Sequence, residues 1–314
     1  MPSPMQRFKD GLWQALVTNR FSWGVLDKLI VQNADRLRFQ RNWAIHGVRE
    51  ALDRLAADLT VRRGPFQGMR YPERTAVGSS FAPKLIGCYE RELHPLFERI
   101  VNRPYRTIID VGCAEGYYAV GLALRIPQAI VHAYDTDPLA RSQCRKMAEL
   151  NGVADRVIVG ETFTPGDLVK FDFRGPGLII CDCEGYEKEL FSQAAVDRLG
   201  DQDVLIEAHD FFDPEITPQL KARFAPTHDV EAIPSVDDYH KSRAYDYPEL
   251  QGYSIDLRRI LLGEYRTANM EWLFMTPKRS FADDQPKFDR SGLGRTGRDQ
   301  VGSDRHGGSP RLSD

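Results

Sequence analysis

The residues best placed to do chemistry are acids and one histidine that follow two short apolar runs. Asp182 and Glu184 come after the first run, and Glu207 and His209 end the second. If both runs are strands, alternation sends each pair to one face, and a parallel sheet brings the strand ends together. A histidine there can remove a hydroxyl proton near neutral pH. The alternative is a histidine that neighbouring acids satisfy without a catalytic role.

These four side chains could also hold a divalent metal ion, because carboxylates and imidazole are metal ligands. No ligand spacing in the sequence is diagnostic of such a site, so a metal is possible but not indicated.

A glycine turn precedes these strands. Residues 107–118 predict a buried strand, a tight turn and the start of a helix. Glycine lets a ligand approach the backbone closely, because it has no Cβ. Counted from Gly112, the later glycine positions of the dinucleotide fingerprint hold Ala114 and Tyr117. The fingerprint is therefore broken, while Gly116 keeps a G-x-x-x-G spacing.

The next predicted strand ends at Asp135, 19 residues after Gly116. An acidic side chain at this position can accept hydrogen bonds from both ribose hydroxyls of an adenosine. Asp137 precedes Pro138 and is predicted to be the N-cap of the following helix.

Two motifs carry a resemblance to a known family. The acid–glycine turn that starts at Asp110 resembles the first motif of the class I S-adenosylmethionine-dependent methyltransferases. The run from Asp182 through Glu184 to Glu187 resembles the D-x-E-G-x-E signature of FkbM-type methyltransferases, which act on sugars and natural products. Cys181 departs from the family, in which many members have lysine or another polar residue. The resemblance covers roughly residues 105–277.

The resemblance implies roles for individual residues. The glycine turn would wrap the amino-acid end of the cofactor, with Asp110 facing its ammonium group directly or through water. Residues 161–163 would border the adenine, although an exposed polar loop is the alternative. The implied cofactor-binding residues are Asp110, Gly112, Cys113, Ala114, Glu115, Gly116, Tyr117, Asp135, Thr136, Glu161, Thr162, Phe163 and Asp182. The implied catalytic residues are His209, Asp182 and Glu184.

The order of elements predicts the fold class. From Arg106 onward, apolar strand patterns alternate with helical ones, which is typical of a doubly wound, Rossmann-like, mostly parallel sheet, here with seven strands. Residues 1–104 predict helices and a short hairpin near 61–78. Residues 105–277 form the predicted methyltransferase domain. Residues 278–314 lack apolar periodicity and are predicted to be disordered.

Three further expectations concern secondary structure. Single helices are predicted over residues 82–102 and 185–198. Residues 234–268 are rich in tyrosine and lie between two predicted strands, so they are interpreted as a long binding loop for sugars or similar polyols. The alternative is packing of these tyrosines against the sheet edge.

Composition excludes several classes of function. The chain has 314 residues and a net charge of −3, which gives no reason to expect nucleic-acid binding. It contains no apolar run near the roughly 20 residues of a membrane helix and no signal-peptide pattern at its start, so we expect a cytoplasmic protein. The five cysteines include no C-x-x-C pair and suggest no disulfide framework or zinc site, and Cys181 and Cys183, which flank Asp182, are interpreted as small buried thiols.

The sequence therefore predicts an S-adenosylmethionine-dependent methyltransferase, O-directed, with a small-molecule or glycan acceptor. A catalytically inactive cofactor-binding scaffold is the alternative. A nucleotide-linked oxidoreductase is disfavoured by the missing glycines. The sequence contains no motif that identifies the methyl acceptor or the oligomeric state.

Overall fold

The computed structural model describes residues 47–278. The helices predicted before residue 47 and the disorder predicted after residue 278 lie outside the described residues. Within them, seven strands form one sheet: β1 Thr107–Val111, β2 Ile130–Tyr134, β3 Val157–Gly160, β4 Gly177–Cys181, β5 Asp203–Ala208, β6 His228–Pro234 and β7 Glu271–Pro277.

The sheet has the order β3-β2-β1-β4-β5-β7-β6, and β7 is its antiparallel member, paired with both β5 and β6. The predicted doubly wound, mostly parallel sheet is thus confirmed. The direction of winding reverses between β1 and β4. Open α/β sheets bind their ligands at such a switch point, outside the carboxyl ends of the strands.

Helices cover both faces of the sheet. The helices of the described residues are α1 Val48–Leu55, α2 Phe81–Ile86, α3 His94–Ile100, α4 Tyr117–Arg125, α5 Pro138–Leu150, α6 Pro165–Lys170, α7 Glu187–Leu190, α8 Gln193–Val196, α9 Ile216–Phe224, α10 Asp238–Ala244 and α11 Ile255–Leu262. Each helix of the described part is too short or too polar to cross a bilayer.

Strand alternation places the apolar side chains of the sheet in two clusters, and a third cluster lies among α1, α2 and α11. Ile108 faces one cluster and Ile109 faces the other, because successive side chains of a strand point to opposite faces. The first cluster also contains Phe66, Leu85 and Leu96. The segment before β1 therefore packs against the sheet and shares its core.

Backbone conformation accounts for two differences from the sequence predictions. The hairpin near 61–78 is a turn closed by a single antiparallel bridge between Thr60 and Arg70. The helix predicted over 82–102 is interrupted by Gly87 (φ 79°) and Glu90 (φ 46°), whose left-handed backbones end one helix before the next begins.

The predicted N-cap is confirmed, since Asp137 accepts a hydrogen bond from the Leu139 N–H at 2.8 Å.

The connections also differ from expectation. The helix predicted over 185–198 consists of α7 and α8, separated by a break at Phe191–Ser192. The loop predicted over 234–268 is wrong as a description of its structure, because it contains α10, α11 and a short 3-10 helix at Pro248–Leu250. Helix α6 was not predicted; its six residues are too few to show a helical period.

Candidate functional site

A cavity of about 770 Å³ lies at the carboxyl ends of β1, β2, β4 and β5, on both sides of the switch point. Its volume is in the range that suits a cofactor or small ligand. Residues 77–79, before the sheet, and residues 264–267, before β7, also line it. Chain segments that are far apart in sequence therefore share one site.

The glycine turn after β1 forms part of the cavity wall. Gly112 has φ 85°, and a Cβ there would lie 1.7 Å from the Asp182 carbonyl oxygen. Only glycine lets the ends of β1 and β4 approach so closely. Asp135 Oδ2 accepts a 2.9 Å hydrogen bond from the Ala114 N–H, and its Oδ1 accepts one of 2.8 Å from the Asp137 N–H.

Most of the cofactor-binding residues predicted from the sequence come together at this cavity. The predicted residues that line it are Gly112, Cys113, Ala114, Tyr117, Asp135, Thr136, Glu161, Thr162, Phe163 and Asp182. All three predicted catalytic residues, His209, Asp182 and Glu184, line it too. Asp110, Glu115 and Gly116 are not among the lining residues.

Glu115 is held in a buried ion pair at the edge of the cavity and is not itself a lining residue. Its Oε1 lies 2.6 Å from Lys84 Nζ, and its Oε2 accepts a 2.9 Å hydrogen bond from the Val77 N–H. The side chains of Lys84 and Glu115 are only 3% and 2% exposed. The Lys84 ammonium also lies over the rings of Tyr89 and Tyr117, at 4.7 and 5.0 Å from their centroids. Glu115 therefore ties the glycine turn to the segment before β1.

Asp110 is buried within β1, behind the turn. Burial raises its pKa to about 7, and the nearby Asp135 carboxylate contributes in the same direction. Among residues 47–278, no group donates a hydrogen bond to its Oδ2. Asp110 therefore does not line the cavity, and no protein group of the described residues satisfies its Oδ2.

The loop after β3, which the sequence predicts to border the adenine, lines the cavity. The Phe163 ring packs against Tyr134 with ring centroids 4.6 Å apart, and Phe163 is buried. The Glu161 side chain is exposed and lies 3.3 Å from Arg141. The loop therefore offers an apolar wall and an exposed carboxylate.

His209 lies at the centre of a group of four acids. Its Nδ1 is 2.6 Å from Glu187 Oε1. Its Nε2 faces the cavity and lies 3.5 Å from Asp182 Oδ1, 3.6 Å from Glu207 Oε2 and 3.6 Å from Glu184 Oε2. The side chain of Glu184 is 69% exposed and follows a left-handed backbone at φ 53°, so its direction comes from a turn and not from strand alternation.

Burial changes the protonation of this group. It raises the pKa of Asp182 to about 7, with Glu90 as the next contribution, and that of Glu207 to about 8, with Asp182 next. Burial is the largest single effect on His209 and lowers its pKa, but the hydrogen bond to Glu187 and the negative charges of Glu187, Glu207 and Glu184 together outweigh it, so the net shift is upward. The site therefore favours protons or other cations between its carboxylates.

Arg266 completes the wall behind these acids. Its guanidinium forms ion pairs with Glu207, with Glu90 at 2.5 Å and with Glu264 at 3.1 Å. Sequence reasoning missed Arg266, because a single arginine in an irregular segment carries no periodic signal. It also missed Glu187 as the partner of His209, although Glu187 closes the D-x-E-G-x-E run.

The tyrosines of residues 234–268 mostly pack against arginines. Arg91 lies over Tyr245, Arg63 over Tyr247 and Arg259 over Tyr239, at 4.5, 5.0 and 4.7 Å from the ring centroids. Tyr265 also lines the cavity. These three tyrosines therefore pack on arginines outside the strands, which is not the packing against the sheet edge that the alternative expected.

Comparison with known proteins finds no matching family model and no matching curated protein. Similar solved structures include cofactor-bound Rv0187 from MTB, with 14% identity and a TM-score of 0.40 over 73% of this chain and 88% of that chain. A precorrin-6y C5,15-methyltransferase from Geobacter metallireducens has 15% identity and a TM-score of 0.37, and the match covers 55% of this chain and 79% of that chain. An O-methyltransferase family protein from Burkholderia thailandensis has 18% identity and a TM-score of 0.31, and the match covers 60% of this chain and 57% of that chain. Such low values do not reveal what this chain binds.

Proposed function

We propose that the protein is an S-adenosylmethionine-dependent methyltransferase of FkbM type that transfers the methyl group to a hydroxyl of a sugar, glycan or natural product. The observation that carries the proposal is the pairing of the glycine turn after β1 with Asp135 after β2. Both line one cavity at the carboxyl ends of the strands, beside the switch point between β1 and β4.

The pairing disfavours a dinucleotide. A pyrophosphate needs free backbone N–H groups at the turn. Here the Ala114 N–H already donates to the Asp135 carboxylate, whose negative charge would repel a phosphate. Tyr117 also stands where the fingerprint needs its third glycine. A cofactor with a ribose and no phosphate suits this turn better.

The chemistry is a displacement at a methyl carbon. The acceptor oxygen forms a new C–O bond while the C–S bond breaks, and the electron pair of that bond stays on sulfur as the thioether leaves. The protein mainly aligns the two reactants, since a sulfonium methyl group is already activated. The hydroxyl proton passes to a base, and the carboxylates of Asp182, Glu184 and Glu207, which line the same cavity, can accept it.

The walls near His209 support a polyol acceptor. Tyr186, Phe211 and Tyr265 line the cavity and are 38%, 38% and 58% exposed. Exposed aromatic rings can cover the apolar faces of a sugar ring, while carboxylates such as Glu184 accept hydrogen bonds from its hydroxyls.

Calorimetry tests the cofactor first. We expect binding of S-adenosylmethionine and S-adenosylhomocysteine, and none of NAD. Labelled S-adenosylmethionine with a panel of glycans and natural products then tests transfer. Binding of NAD without a response to S-adenosylhomocysteine would refute the proposal. Cofactor binding with no transfer to any acceptor would favour the inactive scaffold.

A further inference from the structure

We propose that Asp182, Glu207 and His209 form a binding site for one divalent metal ion. The three residues come from the carboxyl ends of β4 and β5, and one donor atom of each lies within 4.8 Å of the other two. A metal role in methyl transfer rests on the proposed function, whereas metal binding itself can be measured without it.

The distances suit a single ion. His209 Nε2 lies 3.5 Å from Asp182 Oδ1 and 3.6 Å from Glu207 Oε2. Two donors that each lie about 2.1 Å from one ion are about 3.0 Å apart at right angles and about 4.2 Å apart when opposed. Small side-chain movements therefore bring all three donors to bonding distance.

The histidine is held in the orientation of a metal ligand. Its side chain is 2% exposed, and Nδ1 is held by the fully buried Glu187. Glu187 Oε1 also accepts a 3.1 Å hydrogen bond from the Gly185 N–H. Within the described part of the chain, Nε2 makes no hydrogen bond and faces the acids. Histidine ligands characteristically donate their other ring N–H to a carboxylate in this way.

Glu207 is oriented by the same principle. Its Oε1 pairs with Arg266, which leaves Oε2 to face His209. Each of the two buried ligands is thus fixed through one atom and presents the other atom to the centre of the cluster. Such support of the ligands is what separates a metal site from a chance group of acids.

The donor set selects among metals. One imidazole and two carboxylates suit Mn²⁺, Fe²⁺ or Zn²⁺ better than Mg²⁺ or Ca²⁺, which prefer oxygen ligands alone. Glu184 Oε2 lies 3.6 Å from His209 Nε2, close enough to become a further ligand. Positions that remain open would take water or the acceptor oxygen, and the ion would lower the pKa of a hydroxyl bound there. Ligation uses the lone pair that would make His209 a base, so the two roles exclude each other.

Electron paramagnetic resonance with Mn²⁺ tests the site. The full-length chain, freed of metals by a chelator and dialysed, is titrated with MnCl₂ in the absence of any cofactor. We expect one bound Mn²⁺ per chain, and spin-echo modulation from a directly bound imidazole nitrogen. His209→Gln should abolish that modulation and weaken binding at least tenfold, and Glu187→Gln should weaken it about 10–100-fold. His240→Gln, at an exposed histidine of α10, is the matched control.

The outcomes separate this proposal from the proposed function. Absence of Mn²⁺ binding at millimolar concentration, or binding without nitrogen modulation, would overturn the metal site. The nitrogen measurement needs only the wild-type chain, so it decides even if a variant fails to fold. S-adenosylhomocysteine affinity is measured on the same samples. Mn²⁺ binding without cofactor binding would support the metal site and refute the methyltransferase. Cofactor binding without Mn²⁺ binding would support the methyltransferase and refute the metal site.

Discussion

The Asp135 carboxylate, at the end of β2, accepts a 2.9 Å hydrogen bond from the Ala114 N–H in the glycine turn after β1. This bond joins the two sequence motifs that predicted the cofactor. It gives Asp135 two tasks, because the carboxylate shapes the turn and also lines the cavity.

Replacement of Asp135 by alanine should weaken cofactor binding. The variant loses the acceptor for the ribose hydroxyls and the support of the turn, so we expect the affinity for S-adenosylhomocysteine to fall by about 1–3 kcal/mol. Calorimetry measures the loss. Asp137→Ala is the control in the same loop: it removes the N-cap of α5, lowers stability by about 1 kcal/mol and leaves affinity unchanged. Equal affinities for wild type and Asp135→Ala would contradict the ribose role.

A methyl group at Gly112 should disrupt the site. The Gly112→Ala Cβ would lie 1.7 Å from the Asp182 carbonyl oxygen, which forces β1 and β4 apart. We expect loss of cofactor binding and a large drop in melting temperature. Gly68→Ala is the matched control, because Gly68 has a similar φ of 90° but no atom within 4 Å of its Cβ position. Similar melting temperatures for the two variants would show that the close approach is unimportant.

The buried Lys84–Glu115 pair should be sensitive to loss of one partner. Lys84→Met leaves Glu115 charged and buried without its cation, which should cost about 3–5 kcal/mol of the free energy of unfolding. Urea denaturation measures it. Arg74→Met, at an ion pair with Asp53 whose side chains are about half exposed, should cost no more than about 1 kcal/mol. A similar cost for both variants would mean that Glu115 finds another partner.

Asp110 should make stability depend on pH. Its pKa is about 7 in the folded chain, against about 3.9 in an unfolded one. Between these values the unfolded chain releases the proton and the folded chain keeps it, so this group lowers stability as pH rises through that window. Its contribution to the slope is at most about 1.4 kcal/mol per pH unit.

The test compares Asp110→Asn with wild type by urea denaturation at pH 5 and pH 8, without cofactor. The variant should lose less stability than wild type on going to pH 8. Asp229→Asn, at an exposed position of β6, controls for the change in net charge. A pH dependence unchanged by Asp110→Asn would show that the carboxyl group does not titrate in this range.

Local patterns predicted the sheet well, because the apolar pattern of a strand is visible within a few consecutive residues. The strands predicted at residues 107–111 and 203–208 coincide with β1 and β5, since both are short, mostly apolar runs bounded by polar or turn residues. Helix boundaries set by strained backbones were harder: the left-handed Glu90 interrupts an apolar pattern that otherwise continues to Ile100.

The candidate site was predictable only where its residues follow strands. Strand ends placed Asp135, Asp182 and His209 at one edge of the sheet. The contacts that support these residues were not predictable. Glu187, Lys84 and Arg266 each pair with a residue that only the packing of distant chain segments brings near. Glu115 illustrates this limit, since its place in the glycine turn suggested a cofactor contact, whereas the chain before β1 supplies its partner.

Arg266 has a consequence for the order of folding. Its three partners come from residues 90, 207 and 264, so one guanidinium joins chain segments separated by as many as 176 residues. Contacts at such separation form late, because the entropy of closing the intervening loops is lost before they can stabilise the chain. The β-α units around β1 and β2 need no such closure. During refolding, the secondary-structure signal should therefore recover before the wall around His209 exists and before the chain can hold its ligands.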